Sequence, residues 1–586
     1  MTPIVDPRNG DIEDDASSTK QRSLLSLAGS LLAEISLPKL LIAWMLLIGF
    51  PGLLLGAAPL LVSIWIASIL SKAAIVYTDV WPVLLLALLI AFGWLVGRPL
   101  LRLAESSFWS LNALAVQPVY MMFREGCRHL VERLLPRETG QARRSLVRAC
   151  TAAVSGLLIG GLGLGLVVLA WPASRWIGTV ADLAAPYLLV PIALTNSIII
   201  FSGYLAVAAM IWGTADATMP QPRDIRAFHS RGTGYRTWRV AHLSDLHTVG
   251  ERYGFRVESG RSGPRGNERL RRALAILDKI HAAHPLDVIL ITGDVTDAGR
   301  SAEWAEFFTI LAAHPRLAEL VVALPGNHDV NVLDRANPAR MVFPTSPIKR
   351  LRQVRTMCAL GMLQGARFRV VESKTGRLGG TLTDALRPHA IDMAAFADNG
   401  SARLSRRLAG LWMTIFPMVQ PPDMDNGLGI IVLNSNAETH FSFTNALGLV
   451  SAEQVRAFQI ATEQYTRACW IVALHHHVVE YPRAAKALSE RIGTALINGS
   501  WFARRMQHFA NRAVIMHGHR HVDWIGESGG VPIVSAPSPV MEATDRMDTF
   551  FYIHTLGVGG DGRLKLLEPE RISVRGEQAG DGAWTC

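Results

Sequence analysis

Cysteine is scarce and unpatterned in this chain. Five occur among 586 residues, Cys127, Cys150, Cys358, Cys469 and Cys586, and no two form a CxxC pair. That excludes a disulfide framework and a zinc knuckle, and scattered free thiols fit a reducing compartment. The final "GAWTC" is no prenylation box. Aromatic residues make up 8% of the chain, and the arginines are spread through loops rather than interleaved with them. The net charge of +10 therefore gives no nucleic-acid surface, and nucleic acid is not an expected partner. A signal-peptide pattern is also missing: the first 39 residues are mostly polar, include "DIEDD", and are expected to be disordered.

What the chain has in excess is apolar sequence. Half of its residues are hydrophobic and the mean hydropathy is +0.24, yet 18% are charged. In a chain too long for one typical domain, that mixture predicts a membrane part joined to a soluble part. Uncharged runs occupy 40–71, 80–97, 151–174 and 183–215, each close to or above the ~20 residues that cross a bilayer as a helix. The first is long for one straight span and short for two. It contains Pro51, Gly52 and Pro59, and is counted as one kinked or tilted helix. The third places Gly156/Gly160 and Gly161/Gly165 at GxxxG spacing, a weak signal of close helix packing.

The loop at 98–150 carries nine arginines, whereas 72–79 and 175–182 carry one basic residue each, Lys72 and Arg175. The positive-inside rule places 98–150 in the cytoplasm, and four spans then return everything after Asp216 to the same side. The expectation is an integral protein of an inner or plasma membrane with its soluble half cytoplasmic and membrane lipids as partners. The spans carry no charge, which argues against an ion or substrate path through them. The divisions are a polar segment at 1–39, a membrane region at 40–215, a linker at 216–236, and a soluble domain at 237–586 with an insertion at about 331–428.

In the soluble half, "TWRVAHLS", "LDVILIT" and "ELVVAL" read as strands, alternating with helical patterns at 266–283 and 301–313. Such β-α-β alternation implies a largely parallel sheet, with sites beyond the carboxyl ends of its strands. Each strand does end in a polar cluster: "SDLH", "TGDVTD" and "PGNHD". Later apolar runs deliver "LHHH" and "HGHRH". Any one cluster reads as turn chemistry or a surface edge. Five at strand ends in one half do not. The candidate donors are Asp245, His247, Asp294, Asn327, His475, His519 and His521, a carboxylate, imidazole and amide set suited to Mn, Fe or Zn. Seven donors exceed one tetrahedral ion and suit two ions sharing a bridging carboxylate.

The ordered set Asp245-x-His247, Gly293-Asp294-x-x-Asp297, Gly326-Asn327-His328-Asp329, His475 and Gly518-His519-x-His521 resembles the calcineurin-like metallophosphoesterase superfamily over roughly residues 237–560. The resemblance implies an α/β fold, a two-sheet sandwich flanked by helices (α/β/β/α), here preceded by an all-α transmembrane region. It implies two divalent or trivalent metal ions. Asp245, His247, Asp294 and His521 would hold the first, Asp294 would bridge, and Asn327, His475 and His519 would complete the second. His328 would protonate or steady the leaving oxygen, with Asp329 orienting its ring and Asp297 a supporting carboxylate. Two cations would acidify a bridging water enough for in-line attack on a phosphate ester near neutral pH.

Two features depart from the family pattern. The fourth cluster reads "LHHHVVEYP" rather than His-His-Pro; His475 matches the ligand position, and His476 and His477 read as supporting or rim residues. "GDVTDAG" lacks the arginine that follows the second aspartate in related serine/threonine phosphatases. That leans towards phosphodiesters, with a nucleotide or lipid-linked phosphate ester as substrate. The rivals are a phosphomonoesterase and a catalytically silent membrane sensor or scaffold. In the insertion, the basic stretches "SPIKRLRQVR" and "RLSRRLAG" read as solvated elements covering the site, with a cap that selects the substrate or touches anionic lipid headgroups as the alternative.

Overall fold

The computed structural model describes residues 45, 49–76, 117–136, 139–230, 236–251, 254–257, 264–331, 346–372, 376–438, 444–482, 494–541 and 547–575. The expected span at 80–97, the segment 1–39 and residues 98–116 of the basic loop lie outside these. The chain divides into two units, one at Ile35–Met219 and one that includes Pro220–Cys586.

The first unit is helical: α1 (Phe50–Val76), α2 (Gln117–Leu134), α3 (Gln141–Ala170) and α4 (Leu189–Ala217). Among the described residues, three stretches are long and apolar enough to cross a membrane: Gly52–Leu70, Ala142–Ala173 and Pro186–Ala217. α1 runs unbroken through Pro59, in line with a single helix there. A Cβ at Gly156 would lie 2.7 Å from the Ala209 carbonyl oxygen and 2.8 Å from the Gly213 Cα, so the α3 and α4 backbones meet at these glycines. Gly160 likewise faces Met210, while Gly161 and Gly165 face open space. The first GxxxG pair is therefore the packing pair.

The second unit contains fifteen described strands. They are β1 (Arg223–Asp224), β2 (Arg236–Leu243), β3 (Val288–Ile291), β4 (Val321–Ala323), β5 (Arg369–Glu372), β6 (Arg377–Thr381), β7 (Met418–Gln420) and β8 (Leu428–Val432). Then follow β9 (Cys469–Ala473), β10 (Ala513–His517), β11 (Trp524–Ser528), β12 (Val531–Ser535), β13 (Thr549–Val558), β14 (Leu564–Leu566) and β15 (Glu570–Val574). One sheet has the order β1-β11-β12-β10-β9-β8-β7-β5-β6; the other is β14-β13-β2-β3-β4, with β15 also on β13. β2, β3 and β4 are parallel, as are β8, β9, β10 and β12. Strands covered on both faces need no polar alternation, and "VILI" of β3 and "CWIVA" of β9 are buried throughout.

A single apolar core draws on both sheets, with Val240 and Ile289 from one and Ile471 and Met516 from the other. It also takes in α5 (Glu268–Ala283), α6 (Ser301–Ala312) and a long later helix, Pro347–Gln364. This is the two-sheet sandwich with flanking helices.

The insertion differs from its expected solvated character. β5, β6 and β7 extend the larger sheet, and the helix Pro347–Gln364 is buried along most of its length, its basic residues Lys349, Arg350, Arg352 and Arg355 included. Burying a guanidinium requires hydrogen-bond acceptors; Arg350 finds one in the Gln353 side chain, and Arg352 and Arg355 in loop carbonyls. Arg352 donates to the Asn331 oxygen at 2.9 Å and Arg355 to the Gly299 oxygen at 3.4 Å. "RLSRRLAG" does behave as a solvated face, with Arg403, Arg406 and Arg407 exposed and Leu408, Leu411 and Trp412 turned inward.

Cys358 and Cys469 are buried. Burial raises the Cys469 thiol pKa to about 11, with Arg512 lowering and Asp561 raising it. Little nucleophilic thiolate exists there at pH 8. Maleimide labelling of the native chain at pH 8, mapped by mass spectrometry, is expected to spare both cysteines until denaturant is added.

Candidate metal centre

Five of the parallel strands end at one place. β2 leads into Asp245 and His247, β3 into Asp294, β4 into Asn327 and His328, β9 into His475, and β10 into His519 and His521. The loops are stitched together by backbone: Asp245 N donates to the Gly293 oxygen at 3.0 Å, His247 N to the Asp294 oxygen at 2.9 Å, and Gly518 N to the His475 oxygen at 3.1 Å. Six non-glycine residues among those described have a positive φ, and five are Asp245, His247, Asp294, His519 and His521. Left-handed backbone is disfavoured for a residue with a side chain, though least for Asp, Asn and His. Its concentration at one cluster of polar side chains is the pattern of a functional site.

Glycine is needed where these loops touch. At Gly326 a Cβ would fall 2.0 Å from Asp294 Oδ1 and 2.2 Å from the Asp294 nitrogen. The turn role of "PGNHD" and its chemical role are thus one requirement: only glycine lets the Asn327 loop approach Asp294 this closely.

The side chains form overlapping groups. Asp245, His247 and His521 offer donor atoms that converge, as do Asp294, His475 and His519, and a third group joins His247, Asp297 and His328. Asp294 Oδ2 stands 3.2 Å from His475 Nε2 and 3.8 Å from His247 Nε2, between the first two groups. Asn327 Oδ1 and His519 Nδ1 are each 3.1 Å from His475 Nε2, and Asp245 Oδ1 is 3.3 Å from His521 Nε2.

The proton positions follow from the partners. His475 Nδ1 lies 2.8 Å from the Thr292 carbonyl oxygen, which can only accept. Nδ1 must therefore carry the hydrogen, and in the neutral ring Nε2 presents a lone pair to the other donors. Burial holds His247 and His519 well below the usual histidine range, while Asp245, which burial alone would raise, is brought down to about 2 chiefly by His521. These three groups thus favour the deprotonated form, as cation binding requires. His475 is the exception: burial opposes its protonation, but the Asp294 carboxylate overrides this and raises it to about 9.

These residues fit a metal pair. Asp245 Oδ1, His247 Nε2 and His519 Nε2 are buried with no hydrogen-bond partner among the described residues. Buried polar atoms are rarely orphaned, and here the orphans are electron-pair donors facing other donors, an arrangement that a cation satisfies and a hydrogen bond does not.

The supporting residues differ in part from expectation. Asp297 behaves as expected of a supporting carboxylate, with Oδ1 3.3 Å from His247 Nδ1 and Oδ2 accepting from Val257 N at 2.5 Å. His328 Nδ1 is 2.7 Å from the Asp297 carbonyl oxygen, which fixes its ring and leaves Nε2 as the reactive nitrogen. The ring-orienting part expected of Asp329 therefore falls to that carbonyl. The Asp329 carboxylate instead accepts from Thr296 N (2.8 Å), Thr296 Oγ1 (2.7 Å), Gly326 N (2.8 Å) and Val295 N (3.3 Å), tying the β3 and β4 loops together. His476 takes a supporting position, with Nδ1 2.9 Å from Ser435 Oγ and its ring 4.3 Å from that of His519. His477 is not in the donor cluster; it is 3.2 Å from Glu480 Oε1.

Sequence reasoning passed over three hydroxyl residues. Ser435, at the end of β8, accepts from both His475 N and His476 N. Ser538 donates to the Asp245 carbonyl at 2.7 Å, and Thr292 holds His475 through its own carbonyl. The polar run "LNSNAE" after an apolar strand was the available signal for Ser435.

Arg520, between the two histidines of "HGHRH", donates to Glu480 Oε2 at 3.2 Å and lies 5.3 Å over the Tyr481 ring. It thereby fastens the β10 loop to the β9 loop, and both loops carry donors. Supports of this kind are worth roughly 10- to 100-fold in metal affinity. Arg520→Ala is expected to weaken Mn²⁺ binding by about that factor in calorimetric titration, with Arg520→Lys recovering part of it.

A two-sheet sandwich with Asp, His and Asn donors at the ends of its parallel strands is an architecture suited to holding metal ions. Residues 239–377 match the family described as calcineurin-like phosphoesterase, so the chain carries a domain of that family. No curated protein matches the chain. Among solved structures, a protein assigned as a 5′-nucleotidase from Staphylococcus aureus aligns at 13% identity and TM-score 0.30, covering 60% of this chain and 56% of that one. A dimetal phosphatase from Danio rerio aligns at 10% identity and TM-score 0.32, covering 58% and 99%. The NAD nucleotidase of Haemophilus influenzae aligns at 12% and TM-score 0.28, covering 58% and 57%. The alignment thus spans little more than half the length of the two nucleotidases.

Proposed function

We propose that the chain is a membrane-anchored phosphoesterase with a two-ion site, hydrolysing a phosphodiester on the cytoplasmic face of the membrane. The observation that carries this reading is Asp294 Oδ2, placed between His475 Nε2 and His247 Nε2 where one carboxylate serves two donor groups. Asp245, His247, Asp294 and His521 would hold one ion, and Asp294, Asn327, His475 and His519 the other. Bound there, divalent or trivalent ions supply Lewis-acid charge for the phosphate oxygens and lower the pKa of an attacking water.

The remaining steps belong to side chains of this chain. His328, its Nδ1 committed to the Asp297 carbonyl, offers Nε2 to donate a proton to the departing ester oxygen or to hold it. Asn327 contributes a neutral donor, which leaves more net positive charge for the phosphate than another carboxylate would. Asp329 keeps the two loops in register, so that His328 and Asp294 stay in one geometry.

The diester preference rests on Ala298 standing where the related protein phosphatases carry an arginine. The membrane setting favours a nucleotide-linked or lipid-linked phosphate ester, with bilayer lipids as surroundings. The test is turnover of bis-p-nitrophenyl phosphate against p-nitrophenyl phosphate by full-length protein loaded with Mn²⁺. A higher kcat/KM on the diester supports the reading. A higher value on the monoester establishes a phosphomonoesterase, and no turnover of either by the loaded protein overturns the enzyme reading.

A further inference from the structure

Helix α2 is built inside out. Its large apolar residues Val119, Met122, Phe123, Leu130 and Leu134 are exposed and share one face at helical spacing. Most of its charged residues turn inward: Glu125 is fully buried and Arg128 nearly so, joined in an ion pair of 2.9 Å, while Arg133, in the last turn, is exposed. Arg124 pairs with the buried Asp216 at the end of α4, and Glu132 with Arg148 of α3 at 2.8 Å. A helix beside water shows the reverse, with its apolar stripe on the core and its charges outside.

The depth of α2 follows from its register. Glu132 meets Arg148, while Tyr120 packs with Ile159 of α3 and Ala209 of α4, so α2 runs antiparallel along the first half of α3. At 1.5 Å per residue, Phe123 then lies roughly 12 Å further along α3 than the Glu132–Arg148 pair. There the outward residues of α3 are Val154, Leu157 and Leu158, all exposed and within the apolar stretch Ala142–Ala173. The stripe of α2 continues this surface.

We propose that α2 is seated in the bilayer beside α3, its stripe against lipid acyl chains, Arg124, Glu125, Arg128 and Glu132 closed off with Arg148 and Asp216, and Arg133 at the shallow end reaching the headgroups. This replaces the reading of 117–134 as part of a solvated cytoplasmic loop. It does not depend on the phosphoesterase assignment. Polar groups inside a membrane are tolerated when they pair with one another away from lipid, and the α2 network meets that condition.

The test is nitroxide accessibility in lipid nanodiscs, using the full-length chain with its five cysteines replaced and one spin label at position 123, 130 or 134. Oxygen should reach the label at 123 more readily than Ni(II)-EDDA does, with the bias shrinking towards 134. Preferential Ni(II)-EDDA access would put the face in water, and exclusion of both reagents would put protein against it. Either result overturns the proposal. A second measurement keeps the native cysteines: p-benzoylphenylalanine at position 123 is irradiated in the same membranes. Lipid adducts are expected, and a cross-linked dimer or no adduct contradicts the inference.

Discussion

Asp294→Asn is expected to lower phosphoester turnover by about a thousandfold and to reduce bound Mn²⁺ from two ions per chain to one or fewer. The substitution preserves shape and removes charge. Asp294 Oδ2 is the only carboxylate oxygen seen within 4 Å of both His475 Nε2 and His247 Nε2 among the described residues, so both ions would lose their shared anion at once. An amide still offers one neutral oxygen, but its nitrogen would point a donor at a cation. Lewis-acid stabilisation of the phosphoryl transition state is worth several kcal/mol, and each 1.36 kcal/mol is a factor of ten. Steady-state turnover together with metal analysis reads both effects. Full activity with one ion per chain would show that the bridge is not needed.

Asp329→Ala is expected to destabilise the catalytic unit by at least about 3 kcal/mol, besides reducing turnover. The carboxylate is fully buried and accepts from three backbone N–H groups and the Thr296 hydroxyl. Each buried donor left without a partner costs roughly 1–3 kcal/mol. Had Asp329 only oriented the His328 ring, the same substitution would slow the reaction and leave stability nearly unchanged. Denaturant unfolding of the full-length protein in detergent, followed by tryptophan fluorescence, separates the two accounts. A midpoint shift of the catalytic transition supports the loop-tying role, and an unshifted midpoint with slow turnover restores the ring-orienting one.

The part of the site that the sequence made legible is the part built from strand ends. Parallel strands buried on both faces leave nearly unbroken apolar runs, so the polar clusters after "VAHL", "VILI" and "VVAL" stand out, and they hold the donors Asp245, His247, Asp294 and Asn327. The β-α-β units and their parallel sheet follow from the same alternation of runs, whereas the two-sheet sandwich followed only from the family resemblance. What stayed hidden depends on contacts between distant segments. The Thr292 carbonyl that fixes His475 is 183 residues from it in sequence, and the Asp297 carbonyl that fixes His328 is 31 residues away. Backbone carbonyls carry no side-chain signature at all.

Charge misled twice, for one reason. Lys349, Arg350, Arg352 and Arg355 read as solvated and are buried, and Arg124 and Arg128 of α2 read as loop surface but turn inward. For Arg352 and Arg355 the acceptors are loop carbonyls, and for Arg124 the partner is Asp216 of α4, all from other elements. A pattern of residue types records which groups are polar. It does not record which way they face when a partner is available inside.

Whether two ions sit at the ends of these strands is read directly by Mn²⁺ stoichiometry of the full-length protein by mass spectrometry, with electron paramagnetic resonance on the same sample. About two ions per chain with the spectrum of an exchange-coupled pair are expected. One ion, isolated ions without coupling, or none would contradict the two-ion site.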